Sequence, residues 1–237
     1  MHARRPRHLR GFTLIELLVA VAIMALMAVL SWRGLDGISR TQIGLQQRTD
    51  DVMALQATLA QWGADLDAME TQPDFKSIDW DGRALRVLRR SRTEPEKGLL
   101  VVAWTQRNLD GKSQWLRWQS PPLSSRGALE LAWQKAAQWG QNPSEDDRLR
   151  EVVTVPIDQW QIFYYRGNAW TNPLSSAGTT AGAVNGLAPV MPSTPVTPTA
   201  SDDIPQGVRL VLNLSAGQGI SGKLTRDWVR PVLGGNP

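Results

Sequence analysis

The stretch that decides the fold is Gly11-Phe12-Thr13-Leu14-Ile15-Glu16-Leu17-Leu18, which opens an apolar run that continues to Leu30. Apart from Thr13 and Glu16, the residues from Phe12 to Leu30 are apolar. As a helix at 1.5 Å per residue they would span about 28 Å, close to the hydrocarbon core of a bilayer. The residues before Phe12 include no acid and four arginines, Arg4, Arg5, Arg7 and Arg10. This pattern predicts one transmembrane helix with its N-terminus in the cytoplasm and the remaining chain outside.

Glu16 is the unusual residue of this segment. A carboxylate inside a membrane helix costs roughly 2.5–3.5 kcal/mol on insertion scales, and such residues usually mark function. If Phe12 became the N-terminus, its ammonium would lie one helical turn from Glu16, which could pair with that ammonium or with that of a neighbouring subunit. The alternative is a carboxylate near the membrane interface that is neutral or extends towards water.

An ordinary secretory signal peptide is a second interpretation of the N-terminus, since it also has a basic start and an apolar core. Small residues that could form its cleavage site are Ala20, Ala22, Ala25 and Ala28. Against this interpretation stand Glu16 within the apolar core, the length of that core, and a helical pattern that continues past the supposed cut.

Beyond the membrane segment, apolar residues recur every three, four or seven positions as far as Met69. This spacing predicts that the helix continues to about residue 70, before Pro73, with an unbroken length on the order of 87 Å. Glycines at positions 34, 37 and 44 each weaken a helix by about 1 kcal/mol relative to Ala, so a bend or local melting is expected there. The half from about Val52 should lie on a globular domain.

Residues 74–237 are predicted to form that domain, which makes the fold class α+β: a long N-terminal helix packed on an antiparallel β-sheet. A helix is predicted over 128–139, with Gly140 as its C-cap. Trp115 and Trp118 lie on opposite faces of one strand, so at most one of them is expected to point inward. The predicted strands cover 84–90, 98–105, 113–118, 152–155, 160–165, 208–214 and 222–229.

Residues 172–203 change in composition to Gly, Ala, Ser, Thr and Pro, with prolines at every third position from 189 to 198. This composition is typical of a disordered or polyproline-like insertion.

Composition excludes several functions. The chain has 26 basic and 22 acidic side chains, and residues 1–11 hold four of the basic ones, which leaves 22 of each sign. A nucleic-acid partner is therefore not expected. There is no cysteine, and the two histidines, His2 and His8, lie in the basic leader. Ser-His-Asp or Cys-His catalysis and thiolate or imidazole metal sites are then excluded, and we expect no enzyme activity, metal or cofactor.

Three weaker patterns have simple structural interpretations. Gly217–Gly222 matches G-x-G-x-x-G, but Leu224 follows Lys223 where a P-loop needs Ser or Thr, so a hairpin turn is favoured. The basic run Arg83, Arg86, Arg89, Arg90 and Arg92 is expected to be a solvated strand face balanced by acids elsewhere rather than an anion site, with contact to an acidic partner subunit as the alternative. Carboxylate pairs at 79/81, 146/147 and 202/203 fall in polar stretches that are expected to be exposed, and none has the spacing of a recognised calcium loop.

Taken together, the junction Gly11–Leu18 and several later stretches resemble the J-type minor pseudopilins of type II secretion. The later stretches are Leu30–Asp36, Trp160–Trp170, Ile204–Leu212 and Gly222–Pro231. The resemblance implies a type IV pilin-like fold and a leader, residues 1–11, that prepilin peptidase removes between Gly11 and Phe12. It also implies N-methylation of Phe12 and a role for Glu16 in subunit assembly.

By the same resemblance, residues 12–30 span the inner membrane, and residues 31–70 continue the helix into the periplasm, where the domain lies. The expected partners are the I-type and K-type minor pseudopilins and the major pseudopilin. A minor pilin of a type IV pilus or DNA-uptake system shares the N-terminal chemistry and is the first alternative. A membrane-anchored or secreted carbohydrate-binding protein, which would use the eleven tryptophans, is the second.

Overall fold

The computed structural model describes residues 12–91, 98–175, 204–217 and 219–231. The first element, α1 (Leu14–Asp67), has 54 residues. The chain forms two compact units, Met1–Thr49 and Asp50–Pro237, and the boundary between them falls within α1. The predicted leader and most of the 172–203 insertion, from residue 176 onward, lie outside the described residues.

Helix α1 runs without interruption through the glycines at 34, 37 and 44, so the local melting expected there is not observed. One glycine costs about 1 kcal/mol, whereas breaking a helix loses several hydrogen bonds and requires a second nucleation. The helix ends at Asp67, slightly earlier than predicted, because the chain turns there to meet the strand Ala84–Arg90 (β2). Met69 forms a bridge with Arg89, and the amide of Glu70 donates to the carbonyl of Leu88 at 3.0 Å.

The elements after α1 are β1 (Ile78–Trp80), β2 (Ala84–Arg90), β3 (Leu99–Leu109), β4 (Lys112–Gln119), α2 (Arg126–Gln141), α3 (Glu145–Arg148), β5 (Glu151–Arg166), β6 (Ala169–Thr171), β7 (Gly207–Leu214) and β8 (Gly222–Val229). These strands pair antiparallel in one sheet of order β1-β2-β3-β4-β5-β7-β8, with the short β6 also paired to β5. The α+β class is confirmed. Strand β5 joins the two predicted strands 152–155 and 160–165, because Pro156 lies where the pairing changes from β4 to β7 rather than at a break.

The sheet has a hydrophobic cluster on each face. On one face, Trp62 and Leu66 of α1 pack with strand residues that include Trp115. On the other face, α2 packs over residues that include Trp118. The relative exposures of Trp115 and Trp118 are 0% and 1%, so the prediction that at most one points inward was wrong. The reason is that α2 covers the face that α1 leaves free.

Gly140 is not a C-cap. Helix α2 ends one residue later, and Asn142 caps it with a backbone N–H that donates to the carbonyl of Gln138 at 2.8 Å. Gly140 is instead buried against β2, where an added Cβ would lie 2.9 Å from the Cβ of Ala84. The missing side chain lets α2 approach the sheet closely.

The basic run is balanced by acids, as predicted, but it is not uniformly solvated. Arg86 is half-buried and pairs with Asp79, and its guanidinium lies 3.6 Å from Asp81. Arg89 is buried, and Arg90 bonds Glu70 at 2.9 Å. Asp79 and Asp81 are therefore both partners of Arg86; Asp79 is half-buried, whereas Asp81 is exposed as expected. Arg92 and the acids at 202 and 203 lie outside the part that the structure describes.

The G-x-G-x-x-G match is a hairpin connection, as predicted. Leu214 at the end of β7 pairs with Gly222 at the start of β8. Gly217 and Gly222 have φ values of +91° and +100°, which glycine adopts without strain.

Candidate processing and assembly site

A capping box sets the start of α1. The side chain of Glu16 accepts hydrogen bonds at Oε2 from the amide of Thr13 at 2.9 Å and from its hydroxyl at 2.8 Å. In return the Thr13 hydroxyl oxygen accepts the amide proton of Glu16 at 3.4 Å. These reciprocal bonds satisfy two amides that a helix start leaves unpaired. The helix therefore begins at Leu14, and Phe12 lies before it with 88% of its surface exposed.

Sequence reasoning looked for a partner of Glu16 in an N-terminal ammonium and overlooked Thr13. The signal was present, since Thr13-Leu14-Ile15-Glu16 matches the T-x-x-E pattern of a capping box. Both bonds go to Oε2, and Oε1 accepts no hydrogen bond from any residue that the structure describes. One oxygen of the carboxylate thus remains available to another donor. Gly11 lies outside the described residues.

The N-terminal part of α1 exposes its apolar side chains throughout. From Leu14 to Thr49 every residue is exposed, and Leu14, Leu30 and Leu45 are 79%, 68% and 61% accessible. By length and composition, α1 contains a stretch able to cross a membrane. The continuous apolar surface from Phe12 to Leu30, interrupted only by Thr13 and Glu16, requires a non-aqueous cover from lipid or from other subunits.

Asp65 anchors the second half of α1 to the sheet. Its carboxylate is fully buried and bonds Arg89 of β2, the indole N–H of Trp104 of β3 at 2.9 Å, and the guanidinium of Arg117 of β4 at 2.8 and 2.9 Å. Gln61, one helical turn earlier, donates to it at 2.9 Å. A single carboxylate therefore joins the end of the helix to three neighbouring strands.

Two further aspartates hold the same half of α1. The amide of Gly219, in the β7–β8 connection, donates to Asp51 at 2.9 Å. The indole N–H of Trp228 in β8 donates to Asp67 at 2.8 Å. Neither these two aspartates nor Asp65 was identified from the sequence. Asp65 does interrupt the apolar stripe between Trp62 and Leu66, and such an interruption is a signal of a buried charge with a partner.

A second buried ionic contact lies on the opposite face of the sheet. Arg107 of β3 donates to both carboxylate oxygens of Glu151 at 2.7 and 2.6 Å, and the indole N–H of Trp139 in α2 donates to the same carboxylate at 2.7 Å. This contact joins α2, β3 and β5. It positions elements of the fold.

Asp147 also stabilises the fold, at the start of α3. Burial raises its pKa, but hydrogen bonds from Ser144 and the charge of Lys135 outweigh this effect, so the pKa is lowered overall. Ser144 and Asp147 form the capping box of α3. The carboxylate is buried, contrary to the expectation of an exposed pair at 146/147.

One cavity of about 550 Å³ lies between the start of α2 and the segment that follows α1. Its lining includes Phe75, Leu99 and Leu129, and Arg126 is the only titratable side chain among the described residues that line it. Arg126 already bonds Glu130 at 3.1 Å and the carbonyl of Asp74 at 3.1 Å. Within the described ranges, no group of three or more His, Cys, Asp or Glu residues is placed to hold a metal ion.

Comparison with known proteins gives one family match. A model described as the prokaryotic N-terminal methylation motif matches residues 6–32, which include Gly11, Phe12 and Glu16. No curated protein matches the chain. Among solved structures, a chain from the crystal structure of the GspK-GspI-GspJ complex from the enterotoxigenic Escherichia coli type 2 secretion system is similar, with 16% identity and a TM-score of 0.42. The match covers 76% of this chain and 96% of that chain. The protein thus carries an N-terminal methylation motif at the head of a helix whose second half packs on an antiparallel sheet.

Proposed function

We propose that this chain is a minor pseudopilin of a type II secretion system, of the J type, with a structural and assembly function rather than a catalytic one. The observation that carries the proposal is the methylation motif over residues 6–32, with Phe12 exposed just before the first turn of α1. In this function Gly11 and Phe12 are substrate residues of prepilin peptidase, which hydrolyses the bond between them, and Phe12 is then N-methylated.

The capping box supports this processing site. A peptidase needs an extended, accessible backbone, and the box holds the helix to residues after Thr13, so Phe12 stays outside the helix. The bonds from Thr13 to Glu16 do not involve the amino group of Phe12 and are therefore compatible with cleavage. We assign the free Oε1 of Glu16 to the ammonium of a neighbouring subunit, which would set subunit register in the membrane.

The exposed apolar surface of α1 supports a place in the inner membrane among other helical subunits. We propose that residues 12–30 span the membrane, that residues 31–70 continue the helix into the periplasm, and that the domain lies in the periplasm. The proposed partners are the I-type and K-type minor pseudopilins and the major pseudopilin.

The tryptophans give little support to the carbohydrate-binding alternative. Seven of them are buried, and Trp80, Trp133 and Trp170 are half-buried. The remaining tryptophan, Trp32 of α1, is 74% exposed. The structure therefore offers no row of exposed indoles in the β-rich unit. The buried ones are Trp62, Trp104, Trp115, Trp118, Trp139, Trp160 and Trp228.

The test is mass spectrometry of the intact chain and its N-terminal peptide, purified from membranes of the native host. We expect a chain that begins at N-methylated Phe12. Gly11→Val should block the cut, while Glu16→Gln should leave the cut intact and reduce cross-linking to the other pseudopilins. An uncut chain, or a start between Ala22 and Ala28, would refute the proposal and favour a signal anchor or signal peptide.

A second test separates secretion from piliation. Deletion of the gene should stop export of type II substrates and leave type IV pili intact, and the full-length chain should restore export. Loss of pili with normal export would instead identify the chain as a minor pilin.

A further inference from the structure

The last strand of the sheet, β8, has an open edge. It pairs with β7 along its whole length, from Gly207 opposite Val229 to Leu214 opposite Gly222. On its other side it pairs with no strand that the structure describes. Every second residue of this eight-residue strand therefore directs its backbone N–H and C=O to the open side, where an added strand could pair with them. The opposite edge of the sheet is β1, which has three residues.

The charges of this edge that lack a partner among the described residues are all positive. Lys223, Arg226 and Arg230 are exposed, and none of their side chains forms an ion pair or hydrogen bond with a described residue. The carboxylate of β8, Asp227, is held by Arg209 through two bonds of 2.7 Å. Three uncompensated cations therefore accompany the open edge.

The cations lie on both faces of the strand. Arg226 stands opposite Leu210, whose side chain belongs to the cluster on the α1 face. Lys223 stands opposite Asn213, and since side chains alternate along a strand it projects from the other face. At the far end Val229 is 69% exposed and offers an apolar contact beside Arg230.

Charged edge strands commonly prevent aggregation. The cations of β8 would likewise prevent a second copy of the chain from pairing with this edge. Two such edges side by side would bring like charges together, which is unfavourable. Protection against aggregation alone does not require charges of a single sign, because mixed charges would also interrupt a flat edge. An edge with three free cations and its one carboxylate neutralised is complementary to an acidic strand.

We propose that the outer edge of β8 binds an extended, acidic segment of another protein by strand addition. Backbone hydrogen bonds would supply the binding, and carboxylates opposite Lys223 and Arg226 would supply the selectivity. This inference is independent of the processing of the N-terminus, so it stands or falls separately from the proposed function.

The test uses the full chain in detergent micelles and a fluorescent eight-residue peptide in which Glu-Glu-Val-Val is repeated twice, so that an extended peptide presents Glu on both faces. We expect binding that weakens with salt, and no binding of the same peptide with Lys in place of Glu. The combined variant Lys223→Glu, Arg226→Glu and Arg230→Glu should weaken binding by at least about tenfold, because each cross-strand charge pair changes from attraction to repulsion.

A matched control changes the same number of charges elsewhere. Arg83, Lys112 and Arg148 are also exposed and without a side-chain partner among the described residues, and their joint replacement by Glu should leave binding unchanged. Circular dichroism of both triple variants checks that they fold. Equal weakening by both variants would overturn the proposal, because it would show attraction to net charge alone.

A third peptide separates strand addition from simple electrostatics. It keeps every Glu and replaces the Val residues by Pro, which removes backbone donors and cannot extend a sheet. We expect it not to bind, and we expect hydrogen exchange of residues 222–229 to slow with the Glu–Val peptide only. Binding of the proline peptide, no binding of the Glu–Val peptide, or self-association of the chain through β8 would each overturn the proposal.

Discussion

Replacing Asp65 with Asn tests whether the buried carboxylate holds α1 to the sheet. The side chain of Asp65 is 1% exposed, and those of its partners Arg89 and Arg117 are 9% and 13% exposed. Removing one member of a buried ion pair costs about 3–5 kcal/mol, because the remaining charge stays in a poorly solvated site. Asn keeps the volume and one acceptor for Trp104 but presents an amide N–H₂ to a guanidinium. We expect D65N to lose about 3 kcal/mol of the free energy of unfolding.

The control is Asp67→Asn, the same change two residues further along the helix. Asp67 is exposed, and its replacement still offers an oxygen to the indole of Trp228, so the loss should stay below about 1 kcal/mol. The assay is urea unfolding of the full chain in micelles, followed by tryptophan fluorescence. At a slope of about 2 kcal/mol per molar urea, the midpoint of D65N should fall by roughly 1.5 M. A midpoint shift no larger than that of D67N would refute the reasoning.

Two further predictions concern packing and pH. Gly140→Ala should lower the free energy of unfolding by roughly 1–3 kcal/mol, because its Cβ would lie 2.9 Å from that of Ala84. Gly127→Ala in the same helix meets no atom within 4 Å and should be neutral or stabilising by up to about 1 kcal/mol; equal thermal shifts for the two variants would contradict this. The pKa of Asp227 is lowered in the folded state, chiefly by its hydrogen bonds with Arg209. The stability from this pair is therefore fully present above the pKa of Asp in the unfolded chain, about 3.9, and is lost as the pH falls through the lower pKa of the folded state. Carboxyl NMR titration should show the Asp227 midpoint rising in Arg209→Gln, and an unchanged midpoint would exclude the pair as the cause.

Local patterns predicted much of the fold. The stripe of α1 and the alternation of most strands depend on neighbours within a few residues, and the structure confirms them. The burial of both Trp115 and Trp118 was missed, although the continuous apolar run at the start of β3, Leu99–Trp104, is typical of a strand covered on both faces. The role of Gly140 could not be read locally, since it depends on Ala84, which is distant in the chain.

The sites also differ in whether they are formed by neighbours in the sequence or by residues that are distant in the chain. The processing junction is contained within residues 6–32, and its capping box spans four positions, so the sequence carries both. The environment of Asp65 is assembled from arginines 24 and 52 positions away, which no short pattern connects. The open edge of β8 depends on the order of strands in the sheet, so the cations at 223, 226 and 230 could not be distinguished from ordinary surface charges.

The aspartates of α1 also have a mechanical consequence. The helical segment from Asp51 to Asp67 is tied to the sheet near both of its ends, by bonds to Gly219 at the start and to Arg117 and Trp228 at the end. Sliding by one helical turn, about 5.4 Å, would withdraw Asp65 from both arginines and leave two cations unpaired in the core. A force applied to the chain at Asp51 would therefore act on all of these bonds at once. The segment would transmit that force to the sheet without sliding along it.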